Sequence, residues 1–180
     1  MRGETILCIA PRLWHSLWRD TQPIMWRVAK QNRVLYFEPS RKSNRPYLAE
    51  MWRNWPNFVT LRAQALHENL IVIPTPSNLP VARRHLPRSV LQVTTPWVAK
   101  INARILIRHV RWAMKAYSVE APILWLYSPF HVDLVGKFEE KLVCYYNYDE
   151  FPDFVHNRRI KELLRLESGN TLEEIRCKRS

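Results

Sequence analysis

Five short apolar runs, each closed by proline or a polar turn, constrain what this chain can fold into. They are residues 5–10 (TILCIA), 33–37 (RVLYF), 69–73 (NLIVI), 122–127 (PILWLY) and 141–146 (KLVCYY). Runs of this length without apolar/polar alternation suit strands buried on both faces, as parallel sheets require. Parallel neighbours in turn need a crossover, and the segments between the runs carry helical spacing.

In the first crossover Thr21 is placed to cap a helix whose first turn accepts Pro23. Ile24, Met25, Val28 and Ala29 form its apolar face. Residues 93–117 are the longest helical stretch: Leu106, Val110, Ala113 and Tyr117 fall on one side, and Arg104, Arg108, Arg111 and Lys115 nearly opposite. Shorter helices are expected over 132–140 and 155–167. Residues 40–64 read mainly as a long loop with room for one short helix or strand. Pro74 and Pro76 stop the third run, and Pro80 and Pro87 keep the next segment irregular. The alternation predicts an α/β fold, a Rossmann-like, doubly wound and mostly parallel sheet, in a single domain over 1–167.

With 180 residues, 47% of them hydrophobic, the chain can bury roughly 70% of its unfolded surface in one core. A formal net charge of +12 predicts attraction to phosphates, anionic lipid or nucleic acid without choosing among them. Cys8, Cys144 and Cys177 form no close pair and no metal-ligand spacing with the six histidines. Cys8 and Cys144, inside strand-like runs, read as small core residues of a reducing, cytoplasmic compartment. The longest apolar runs fall far short of the ~20 residues that span a bilayer.

Chemistry in open α/β sheets sits beyond the carboxyl ends of the strands, so the strand exits are the places to search. The only glycines are Gly3, Gly136 and Gly169, which leaves neither a G-x-G-x-x-G fingerprint nor a P-loop and disfavours dinucleotide oxidoreductases and nucleotide triphosphatases. After the first run, residues 11–22 concentrate Trp14, His15, Trp18, Arg19 and Gln22. Flat rings suit apolar sugar faces and guanidinium forks suit anionic oxygens; equally, Trp14 and Trp18 would pack the helix onto the sheet while the arginines stay solvated. Glu38 ends the second run. Ser128 and His131 follow the fourth, where His131 can bond a hydroxyl or move a proton, or simply be structural. After the fifth run, Asp149 and Asp153 can accept hydroxyl hydrogen bonds or act as a base, and can as easily cap the last helix. No Asp-x-Asp or His-rich constellation accompanies them, so neither metal nor cofactor is expected.

Three segments, ILCIAPRLWHSLWRDTQPIMWRVAKQNRVLYFEP, PILWLYSPFHVDLVG and KLVCYYNYDEFPDF, together resemble the N-terminal domain of bacterial GT-B glycosyltransferases. That broad family (group 1, family 4-like) includes teichuronic acid and other cell-surface polysaccharide enzymes. The resemblance covers roughly residues 5–39 and 120–167. It implies transfer of a sugar from a nucleoside diphosphate to a glycan or lipid-linked acceptor hydroxyl. Trp14, His15, Arg19, Gln22, Glu38 and Ser128 would face the acceptor, with His131 and Asp149 as catalytic groups. The family binds its sugar nucleotide mainly in a C-terminal domain. Here the sequence instead ends in ESGNTLEEIRCKRS, so residues 168–180 read as an irregular tail of a truncated or frameshifted product, inactive alone.

A second class of reading is a non-catalytic basic module. Arg104, Arg108, Arg111 and Lys115, with Arg83, Arg84 and Arg88 nearby, suit an anionic membrane at the inner face of the cell membrane, or else a solvated helix face. A partner protein would also fit this class; nucleic acid is disfavoured, because no RNP-like, helix-turn-helix or zinc pattern is present.

Overall fold

The computed structural model describes residues 2–40, 52, 54–79 and 88–146. The acidic run 147–153 with Asp149, the helix expected over 155–167, the tail and residues 80–87 lie outside the described residues.

The five apolar runs become β1 (Thr5–Ile9), β2 (Arg33–Glu38), β4 (Leu70–Pro74), β5 (Ile123–Leu126) and β6 (Leu142–Tyr145), all mutually parallel. A further strand, β3 (Gln64–His67), pairs antiparallel with β4 at the edge. The sheet order is β3-β4-β2-β1-β5-β6. It is a mixed α/β sheet of six mostly parallel strands. Leaving out β3, the parallel strands run third, second, first, fourth, fifth in chain order across the sheet.

Alternate residues of each central strand enter separate cores, as period-2 geometry requires. Ile6 and Cys8 of β1 and Val34 and Tyr36 of β2 pack with Met25 and Ala29 of and after α1 (Thr21–Val28). Leu7, Ile9, Leu35 and Phe37 pack on the other side with Val110 and Ala113 of α3 (Arg88–Ala116). Fully burying a side chain such as Leu7 or Leu35 contributes about 1.5–3 kcal/mol, so the two cores dominate the fold's stability.

Several expectations need correction. Thr21 does not cap α1: Asp20 precedes the helix, is itself helical (φ −66°, ψ −41°) and makes no side-chain capping bond, while Thr21 is buried. The described part of 40–64 holds a short helix, for which the sequence left room, α2 (Pro56–Val59), and in addition the first residue of β3, Gln64. β4 does end at Pro74, as expected, with the proline itself as its last residue, aligned with Glu38. The long helix begins at Arg88, five residues before the expected start. In place of a helix over 132–140 there is a 3-10 helix (Pro129–Leu134); Gly136 at φ 75° and Glu139 at φ 53° turn the chain out of helical geometry. Cys8 is buried and Cys144 half-buried, both on strands, as expected of small core residues. Burial pushes the Cys8 thiol pKa upward, which keeps it protonated and inert. Among the described residues no helix is long and apolar enough to cross a membrane.

Candidate functional site at the carboxyl edge of the sheet

The exits of β1 and β5 lie side by side, because these strands pair directly from Ile6↔Ile123 to Ile9↔Leu126. Their loops then part. Trp14, in the loop after β1, joins the core on the α1 side, whereas Leu134 and Phe138, after β5, join the core on the α3 side. Two neighbouring loops thus leave the sheet's carboxyl edge toward opposite faces, and in open α/β sheets that edge is where ligands are sought.

The loop after β1 is tied down by its own polar groups. Glu38, only 6% exposed, accepts the backbone N–H of Trp14 at 2.7 Å, and Tyr36 donates its hydroxyl to the Arg12 carbonyl at 2.9 Å. Gln22 is fully buried. Its amide donates to the Leu13 carbonyl (3.2 Å) and the Ser16 hydroxyl (3.3 Å), and its Oε1 accepts the Arg19 N–H at 3.3 Å. Ser16 in turn donates to the Leu13 carbonyl at 2.6 Å. The Glu38 carbonyl also receives the N–H and hydroxyl of Thr75, which links the β2 and β4 exits.

Trp14, Gln22 and Glu38 are thus brought together, but as braces of the loop: Trp14 is buried edge-on against Tyr36 (5.0 Å between ring centroids), and its backbone N–H, the Gln22 amide and a Glu38 carboxylate oxygen are used within the loop. What the braced loop holds outward is His15, Leu17, Trp18 and Arg19, all exposed. Trp18 stacks edge-on to Trp14 at 5.7 Å and lies 6.5 Å from Trp26, so an aromatic row runs from the core to the surface. The exposed ring of this loop is therefore Trp18, which the sequence sets beside Trp14 without telling the two apart.

In the loop after β5, Ser128 accepts the His131 backbone N–H at 3.1 Å through its carbonyl and caps the turn into the 3-10 helix. The His131 ring is largely sheltered, and Nδ1 is buried with no protein hydrogen bond. Burial lowers the His131 pKa, favouring the neutral imidazole, the form that can accept a proton.

Another histidine was not singled out by the sequence. His109 is buried in α3 between Phe37 (6.4 Å) and Trp112 (6.1 Å), with a ring nitrogen bonded to the Pro74 carbonyl and Nε2 buried without a partner. Its spacing from Leu106 and Ala113 puts it on the inner arc of the helix, a signal the sequence does contain. On the outer arc Arg104, Arg108, Arg111 and Lys115 are all exposed, as expected. Arg111 also donates from Nε and Nη2 to the Lys137 carbonyl.

Comparison with protein-family models, curated proteins and solved structures finds no match for this chain.

Proposed function

We propose that this chain forms a doubly wound, Rossmann-like domain that supplies the acceptor side of a GT-B glycosyl transfer. The supporting observation is the reversal of strand order between β1 and β5, with a braced aromatic and cationic loop after β1 and His131 after β5. The GT-B resemblance adds the reaction type.

In this reading Trp18 covers an apolar sugar face and Arg19 meets anionic or hydroxyl oxygens. The acceptor hydroxyl attacks the anomeric carbon of the donor, its C–O bond to the nucleoside diphosphate breaks, and His131 takes the hydroxyl proton. Asp149 is the alternative base. Alignment of the two reactants and neutralisation of the departing diphosphate supply most of the rate, and the donor's own contacts lie mainly in a second domain.

The test is saturation-transfer NMR of the purified chain with cell-surface-type oligosaccharides, alongside titration calorimetry with uridine and guanosine diphosphate sugars. Acceptor binding that weakens in Trp18→Ala, with nucleotide-sugar affinity millimolar or absent, supports the reading. Micromolar nucleotide-sugar binding with turnover, or no glycan binding at all, overturns it.

A further inference from the structure

The outer face of α3 has a composition that neither a solvated helix nor a sugar site requires. From Arg88 to Ala116 the helix carries six Lys and Arg residues and no Asp or Glu. Its exposed arc is not purely polar: Trp97 is 68% exposed, Ile101 38% and Trp112 37%. At 3.6 residues per turn these three fall within a roughly 80° arc together with Arg104, Arg108 and Lys115. The opposite arc, with Val110 and Ala113, is buried in the core. The apolar residues on the outer arc are therefore a surplus beyond what packing uses.

We propose that this face docks on an anionic lipid bilayer, with Trp97, Ile101 and Trp112 seated at the headgroup level and the cations on lipid phosphates. Amphipathic tryptophan rings favour that depth, and long cationic side chains reach from it to anionic headgroups. The cations and the anionic surface are complementary in charge, and the absence of acidic residues removes repulsion along the helix. Geometry favours a membrane over nucleic acid. Trp97 and Trp112 are separated by fifteen residues, about 22 Å along the axis, too far to stack on adjacent bases but reachable together by one flat surface. Nucleic acid would also leave Ile101 uncovered. The inference does not rest on the acceptor-side reading, since it uses none of the carboxyl-edge residues.

The experiment is flotation of the full chain with phosphatidylcholine vesicles, with and without phosphatidylglycerol, with duplex DNA as competitor. The expected result is flotation only with the anionic vesicles. R104Q/R108Q lowers the partition coefficient by about 25-fold, near fivefold per cation. W97A/W112A lowers it further at high salt and removes quenching of tryptophan fluorescence by brominated lipid. Both substitutions are at exposed positions, so unchanged circular dichroism and thermal midpoint check that folding is intact; L17A/W18A on the other side of the sheet should float as the parent does. Equal flotation with neutral vesicles, full retention by W97A/W112A, or preferential capture by DNA each overturns the proposal. A chain that floats yet binds no glycan retains this inference and loses only the acceptor-side one.

Discussion

The carboxylate of Glu38 accepts the backbone N–H of Trp14 at 2.7 Å, a buried bond that joins the end of one strand to the loop leaving its neighbour. An acidic side chain at a strand exit thus holds a loop here rather than projecting toward solvent. Glu38→Ala leaves the buried N–H without an acceptor and is expected to cost about 1–3 kcal/mol, whereas Glu38→Gln keeps an acceptor oxygen and costs less. Urea unfolding of the two variants checks this; equal midpoints would show that the bond carries no net stability.

Gln22 satisfies four groups of the same loop with one side chain, and it is fully buried. Gln22→Leu preserves the volume and removes every one of those bonds. The expected outcome is a loss of about 1–3 kcal/mol and faster protease cleavage between Leu13 and Arg19, with the sheet intact by circular dichroism. Unchanged cleavage would mean that the aromatic packing of Trp14 alone orders the loop.

The five parallel strands were legible because burial on both faces writes an unbroken apolar run into the sequence. β3 was not, because its residues QALH are exposed at three of four positions and leave no run to read. The 3-10 helix was misplaced for a related reason. Leu134 and Phe138 are four apart and mimic a helical stripe, yet both reach the core through a turn at Gly136, where a Glu140 carboxylate oxygen accepts the Gly136 N–H and the other accepts the Phe138 N–H at 3.0 Å. At the candidate site, spacing could place Trp14, Gln22 and Glu38 near one another's strand ends. Whether their polar groups face a ligand or each other depends on a bond between residues 24 positions apart, which no local pattern encodes.

Leu7 occupies the central strand, fully buried, among Leu35, Ile71 and Leu124 of the α3-side core. Leu7→Ala removes buried volume where strands on both sides limit relaxation, and is expected to cost about 2–5 kcal/mol. Exposed Val59→Ala, in contrast, should change stability by less than about 0.5 kcal/mol. Similar denaturation midpoints for the two would contradict the placement of β1 at the middle of the sheet.

His109 gives the fold a pH dependence of determinate sign. Burial holds its pKa below the ordinary 6.5, and the bond to the Pro74 carbonyl only partly offsets this. As pH falls through 6.5 the unfolded chain takes up a proton that the native chain refuses, so stability is full above that pH and declines below it, until the native pKa is reached. The maximum slope is about 1.4 kcal/mol per pH unit for one proton. His131, lowered by burial in the same direction, adds to the decline. His109→Phe keeps an aromatic ring between Phe37 and Trp112 and removes the titration, so its stability between pH 5 and 7, a range set about that ordinary histidine value, should fall less steeply than the parent's by about one proton's share. Chemical denaturation across that range measures the difference. Parallel curves for parent and variant would show that His109 titrates alike in the folded and unfolded chain, and that the helix accommodates its charge between Phe37 and Trp112.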